Sequence, residues 1–192
     1  MIPSLRNTGA RGRGAHAVLL GILAVMLASC IDVEDFAATW SKTFLDPDLA
    51  GHWRKISQVP EDARHQWFFN ERHGAYEVQL FTDNRADDDG PMYPVKSLAV
   101  GPYLFLANGP QKGLMIRYKV VDGDVLWYKL DFRKTWAIIQ EKYPDQKNIY
   151  QDSAADGAVK IKTFDDEVFR IISTIPDDDV FWHLDTALRR IK

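Results

Sequence analysis

The chain has 192 residues, with 24 Lys+Arg against 27 Asp+Glu, and a single cysteine. A formal charge of −3 argues against a nucleic-acid partner, whose phosphates call for a basic face. One cysteine excludes an intramolecular disulfide, and the length fits one domain able to bury a sizeable core.

The first element is a targeting segment. Arg6, Arg11 and Arg13 precede a twelve-residue apolar run, Ala17 to Ala28. That run is too short for a membrane-spanning helix, which needs about 20 residues. A basic start, a short apolar stretch and small residues at its end read as an export signal. The run closes on Leu27-Ala28-Ser29-Cys30, which resembles the lipobox of bacterial lipoproteins. The resemblance implies cleavage before Cys30, acylation of its thiol and a membrane-tethered product. Residues 1–29 are then the signal peptide, and the mature chain runs from Cys30 to Lys192 with a net charge of −6. In that family an aspartate directly after the cysteine tends to retain the protein at the inner membrane. Here Ile31 follows and Asp32 comes later, which implies the periplasmic face of the outer membrane.

Residues 30–48 are expected to form a lipid-anchored N-terminal segment with a short amphipathic helix. Val33, Phe36, Ala37, Trp40 and Phe44 fall at helical spacing, Asp32, Glu34 and Asp35 favour a helix N-terminus, and Asp46-Pro47 ends it. A single domain is expected over 49–192. It opens with Gly51-His52-Trp53, which resembles the G-x-W signature on the first strand of lipocalins, where the tryptophan closes one end of a barrel. The later T-D-Y motif of that family has no counterpart, and a helix is expected mid-chain where lipocalins have none.

Short strands follow. His65–Asn70 and Ala75–Thr82 flank the turn Glu71-Arg72-His73-Gly74. Residues 84–94 are polar, acidic and punctuated by Gly and Pro, hence a loop. Val95–Val100 and Tyr103–Ala107 flank Gly101-Pro102. Gly113–Val121 and Val125–Phe132 form a hairpin. Matching the apolar face of Leu114, Ile116, Tyr118 and Val120 to that of Leu126, Tyr128, Leu130 and Phe132 requires a three-residue loop, Val121-Asp122-Gly123. Tyr118 then faces Leu126, Ile116 faces Tyr128, and Gly123 sits at positive φ in a G1 bulge.

Arg133–Tyr143 reads as a helix ended by Pro144, and 145–157 as a polar loop. Ala158–Phe164 and Val168–Ser173 read as strands around Asp165-Asp166-Glu167. A last helix is expected over 176–191, with Thr174 and Asp177 as a capping box and Val180, Leu184, Leu188 and Ile191 as its buried stripe. Trp182 falls opposite that stripe and is the candidate partner contact. The fold class is α+β, mainly antiparallel β, as a twisted meander sheet or partial lipocalin-like barrel with flanking helices near 32–45, 133–143 and 176–191.

The remaining constellations carry no specific chemistry. Asp87-Asp88-Asp89-Gly90 invites a calcium loop, but with Gly90 sixth the first and twelfth ligand places are Arg85 and Lys96. With Gly157 sixth, the third and twelfth places are Ala154 and Thr163. His65 and His73 flank a hairpin and read as polar strand residues rather than metal ligands. There is no G-x-S-x-G elbow and no phosphate-cradling glycine loop. The reading is a non-enzymatic lipoprotein of the cell envelope, without cofactor beyond the lipid on Cys30. Its β domain is expected to bind a small apolar or lipidic ligand or an envelope partner. The alternative is a structural or accessory subunit of an envelope protein complex, and a hydrolase comes third.

Overall fold

The computed structural model describes residues 31–58, 64–82, 85–86, 94–109, 113–151 and 159–191. The signal segment, Cys30, the acidic run at 87–90 and Gly157 lie outside the described residues.

Eight strands form a closed antiparallel barrel in which chain neighbours are mostly spatial neighbours. They are β2 (Gly51–Lys55), β3 (His65–Arg72), β4 (Ala75–Thr82), β6 (Pro94–Val100), β7 (Tyr103–Asn108), β8 (Gly113–Val121), β9 (Asp124–Leu130) and β12 (Trp182–Arg190). β12 pairs with both β9 and β2 and so closes the ring, while β4 and β6 meet only at Tyr76–Val95 and Glu77–Pro94. Among the described residues the two-residue strand β5 (Arg85–Ala86) pairs with β4 alone. The expected mainly antiparallel, lipocalin-like barrel with flanking helices is what the chain adopts.

One edge of β8 is shared. Its residues 117–121 pair with β9, while 113–115 pair with β1 (Ile31–Asp35). Beyond β1 come β11 (Val159–Thr163), parallel to it, and then β10 (Ile149–Gln151). The wall therefore forks into the barrel and a three-stranded wing. The face formed by the wing and the outer side of the barrel carries one apolar core, which includes Leu98, Phe105, Met115, Ile161 and Trp182. Helices α2 (Phe132–Lys142) and α3 (Asp166–Ser173) pack on it. The barrel interior holds the second core.

Helix α2 matches the expected mid-chain helix, and Asp131 caps it by accepting from the Lys134 N–H at 3.1 Å. Three other expectations are overturned. The first is the helix over 32–45. Ile31 and Val33 are buried while Asp32 and Glu34 are not, which is the two-residue period of a strand. Hydrogen bonding on both edges fixes β1, and only one helical turn, α1 (Ala37–Trp40), follows. The second is the strand at 168–173, which is helix α3. β-Branched Val168, Ile171 and Ile172 suggested a strand, but their i, i+3, i+4 spacing buries all three on one face. Asp165 caps the helix at the Val168 N–H, 2.9 Å away, and Asp166 and Glu167 fill its first turn rather than a hairpin.

The third is the last helix, which is strand β12. Val180 and Leu184, expected to be buried, are 49% and 57% exposed, whereas Leu188 is buried. A bulge between Leu184 and Thr186 changes which alternate residues face inward. The broken alternation imitates a helical stripe. Thr174 is the C-cap of α3 rather than a helix start.

The β8–β9 hairpin also differs from expectation. Asp122 and Gly123 have φ of 53° and 82°, and Val121 pairs with Asp124, so the turn has two residues. Gly123 is at positive φ as expected, but Tyr118 faces Trp127 rather than Leu126. Both faces of this hairpin are buried. Tyr118, Val125 and Trp127 point into the barrel, and Met115, Arg117 and Leu130 lie on its outer side.

Candidate functional site

One end of the barrel is closed by the segment between α1 and β2. Phe44 exchanges backbone hydrogen bonds with Ser97 on β6, and Leu49 enters the interior core. Asp46 caps the 3-10 turn Pro47–Leu49 by accepting from the Asp48 N–H at 3.0 Å. Its other carboxylate oxygen accepts from the Tyr118 hydroxyl at 2.6 Å, and its carbonyl accepts from the Tyr76 hydroxyl at 2.9 Å. Because the Tyr118 proton goes to Asp46, Ser97 Oγ donates in the 2.7 Å contact with the Tyr118 oxygen. Burial, followed by the hydrogen bond to Asp46, pushes the Tyr118 hydroxyl well above its usual range.

Gly51 and Trp53 stand at this closed end. Gly51 has φ of 117°, a conformation that suits glycine, where the chain turns into β2. The buried Trp53 indole donates to the Leu49 carbonyl at 2.8 Å and so fastens the closing segment. The Arg190 guanidinium covers its ring at 4.7 Å and donates to the Asp48 carbonyl at 2.7 Å. Outside this plug lies an open cleft of about 380 Å³, lined by Trp53, Asp48, Asp122, Asp124, Arg189 and Arg190 among others. Within it Arg189 grips Asp124 through two hydrogen bonds of 3.0 and 2.7 Å.

The barrel interior above the plug, its bore, is a packed core of aromatic and aliphatic side chains. Trp67 and Trp127 meet edge to face with centroids 5.4 Å apart. Half-buried Val78, Leu80, Leu104 and Ile116 pack against them on the inner face. The Trp127 Nε1–H has no hydrogen-bond partner among the described residues. On the β9 and β12 segments farthest from the plug, Lys129 pairs with Asp185 at 2.6 Å.

His65 and His73 do not meet. His65 opens β3, and His73 lies in the turn after its far end. Among the described residues no three His, Cys, Asp or Glu side chains gather as a metal site. Trp182 is not the surface contact expected of it: it is a strand residue, 2% exposed, set against Tyr103 and Phe105.

The residue that sequence reasoning passed over is Arg117. It is 1% exposed, with its guanidinium carbon 4.4 Å from the Tyr103 ring, 4.5 Å from Trp182 and 5.0 Å from Tyr128. Asp177 accepts from Arg117 Nη2 and from Lys119 Nζ, the latter at 3.0 and 3.1 Å. The Arg117 hydrogen bond holds the Asp177 carboxyl below its usual range, against a smaller opposing effect of burial. Comparison of the chain with protein-family models, curated proteins and solved structures found no match.

Proposed function

We propose that this chain is a lipid-anchored lipoprotein of the bacterial envelope, acylated on Cys30 and held at the periplasmic face of the outer membrane. Its barrel acts by binding a small apolar or lipidic ligand rather than by catalysis. The observation that carries the binding role is the bore. The barrel is plugged at one end, and half-buried Val78, Leu80, Leu104 and Ile116 line it around the Trp67–Trp127 pair. Apolar walls with few polar groups suit an apolar ligand. The unpartnered Trp127 N–H offers one donor to an ester or carboxyl oxygen of such a ligand. The lipobox residues Leu27-Ala28-Ser29-Cys30 support the anchor.

Two experiments test this reading. Native mass spectrometry of the mature protein released from membranes is expected to show a noncovalent lipid-sized adduct, lost when Ile116→Trp fills the bore. A wild-type protein repeatedly recovered without adduct overturns ligand binding. Labelled fatty-acid incorporation is expected to vanish in Cys30→Ala, and persistent label defeats the anchor.

A further inference from the structure

Arg117 lies on the outer side of the barrel wall, away from the bore, and it has more donors than the protein supplies acceptors. Nη2 reaches Asp177, while Nε and Nη1 have no hydrogen-bond partner among the described residues. A guanidinium buried against three rings and matched to one shared carboxylate is an expensive arrangement for structure alone.

Asp177 is the exposed side of this cluster. Its side chain is 43% exposed, and it stands on the turn between buried Ile175 and Phe181. One ladder row runs across the wall from Arg117 to Tyr128 to Leu184, and Leu184 ends it as an exposed apolar side chain. A buried cation is thus followed by an aromatic ring and then by an apolar surface residue, with neighbouring strands about 4.8 Å apart.

We propose that Arg117 is the seat for the carboxylate of an amphiphilic ligand, and that Asp177 is the exchangeable group occupying that seat in the free protein. The incoming carboxylate takes the place of the Asp177 carboxylate and accepts from the guanidinium. The apolar tail lies along Tyr128 and Leu184. The site is separate from the bore and stands whether or not the bore holds a ligand.

The test is calorimetric titration of the full Ile116→Trp chain, whose filled bore leaves the Arg117 site alone, in neutral detergent with octanoate, acetate and octanol, subtracting protein-free micelles. Octanoate is expected to bind once per chain, at least about tenfold tighter than acetate because its tail leaves water. Octanol, with the same tail and no charge, is expected not to bind. Adding Asp177→Ala empties the seat and is expected to tighten octanoate about tenfold, since a competitor filling the seat most of the time lowers apparent affinity by that fraction. Unchanged or weaker octanoate binding on adding Asp177→Ala, octanol binding as tightly as octanoate, or no octanoate binding in Ile116→Trp overturns the proposal.

Discussion

The Tyr118 hydroxyl donates to Asp46 at 2.6 Å inside the barrel, and this bond fastens the plug to strand β8. Ser97 and Tyr76 complete the network from two other strands. Tyr118→Phe leaves a buried carboxylate oxygen without its donor, and the expected loss is about 1–3 kcal/mol in urea unfolding. The variant is also expected to change the alkaline limb. The folded pKa of Tyr118 lies above the unfolded value of about 10, so its contribution is complete below that pH and is lost as pH rises above it. Tyr118→Phe is therefore expected to lose less stability than wild type above pH about 10. An equally steep alkaline limb in the variant contradicts this assignment.

Gly101 and Gly123 both have positive φ, at 57° and 82°, yet their substitutions are expected to differ. An added Cβ at Gly123 meets nothing within 4 Å, so Gly123→Ala carries only the backbone cost of about 1–2 kcal/mol. At Gly101 the same atom would lie 2.6 Å from the Ser173 Cβ at the end of α3. Gly101→Ala must push α3 off the turn and is expected to lose clearly more. A double-mutant cycle with Ser173→Gly checks the cause: favourable coupling is expected, and simple additivity removes the steric explanation.

Asp177 gives an acid counterpart. Its folded pKa is lowered, mainly by the Arg117 hydrogen bond, with a further contribution from Lys119. A lowered pKa contributes stability above the unfolded value of about 3.9 and loses it as pH falls through the folded value. Asp177→Asn is expected to be less stable than wild type at neutral pH and to converge with it in acid. Asp124, Asp131 and Asp166 are lowered too, so an acid limb persists in the variant. Thermal melts from pH 7 down to about 2.5 measure the difference. Parallel curves for the two proteins would remove Asp177 from the acid limb.

Much of the barrel was legible because strands β2–β4 and β6–β9 are short runs bounded by turn residues such as His73-Gly74, Gly101-Pro102 and Asp122-Gly123. Helix α2 was legible from its periodicity. What stayed hidden depended on distant partners. β1 is only five residues long and owes its form to partners 80 or more residues away. β12 carries a bulge that breaks its alternation. The hairpin register differs because matching the two apolar faces took no account of Arg117. The guanidinium instead packs among aromatic rings, so the charged face of β8 is as buried as the apolar one. The plug was foreshadowed by Gly51 and Trp53. The Arg117 cluster had no local signal, since Tyr103, Tyr128, Asp177 and Trp182 come from four separate segments.

Arg117 also separates packing from charge. Truncation by Arg117→Ala leaves a hole bounded by Tyr103, Tyr128 and Trp182, and the expected loss is about 2–5 kcal/mol, as for a large core side chain. Arg117→Met fills most of that space with an uncharged chain and keeps contact with the three rings. It gives up the pairing with Asp177, but Asp177 is half-exposed and can turn to water and Lys119. Replacing a buried ion pair with apolar side chains is often neutral or stabilising. Arg117→Met is therefore expected to match or exceed wild-type stability in urea unfolding while losing octanoate binding. A loss as large as that of alanine would mean that the cation is needed for the fold. A stable methionine variant that no longer binds a carboxylate would mean that the cation is kept for the ligand, since stability alone does not require it.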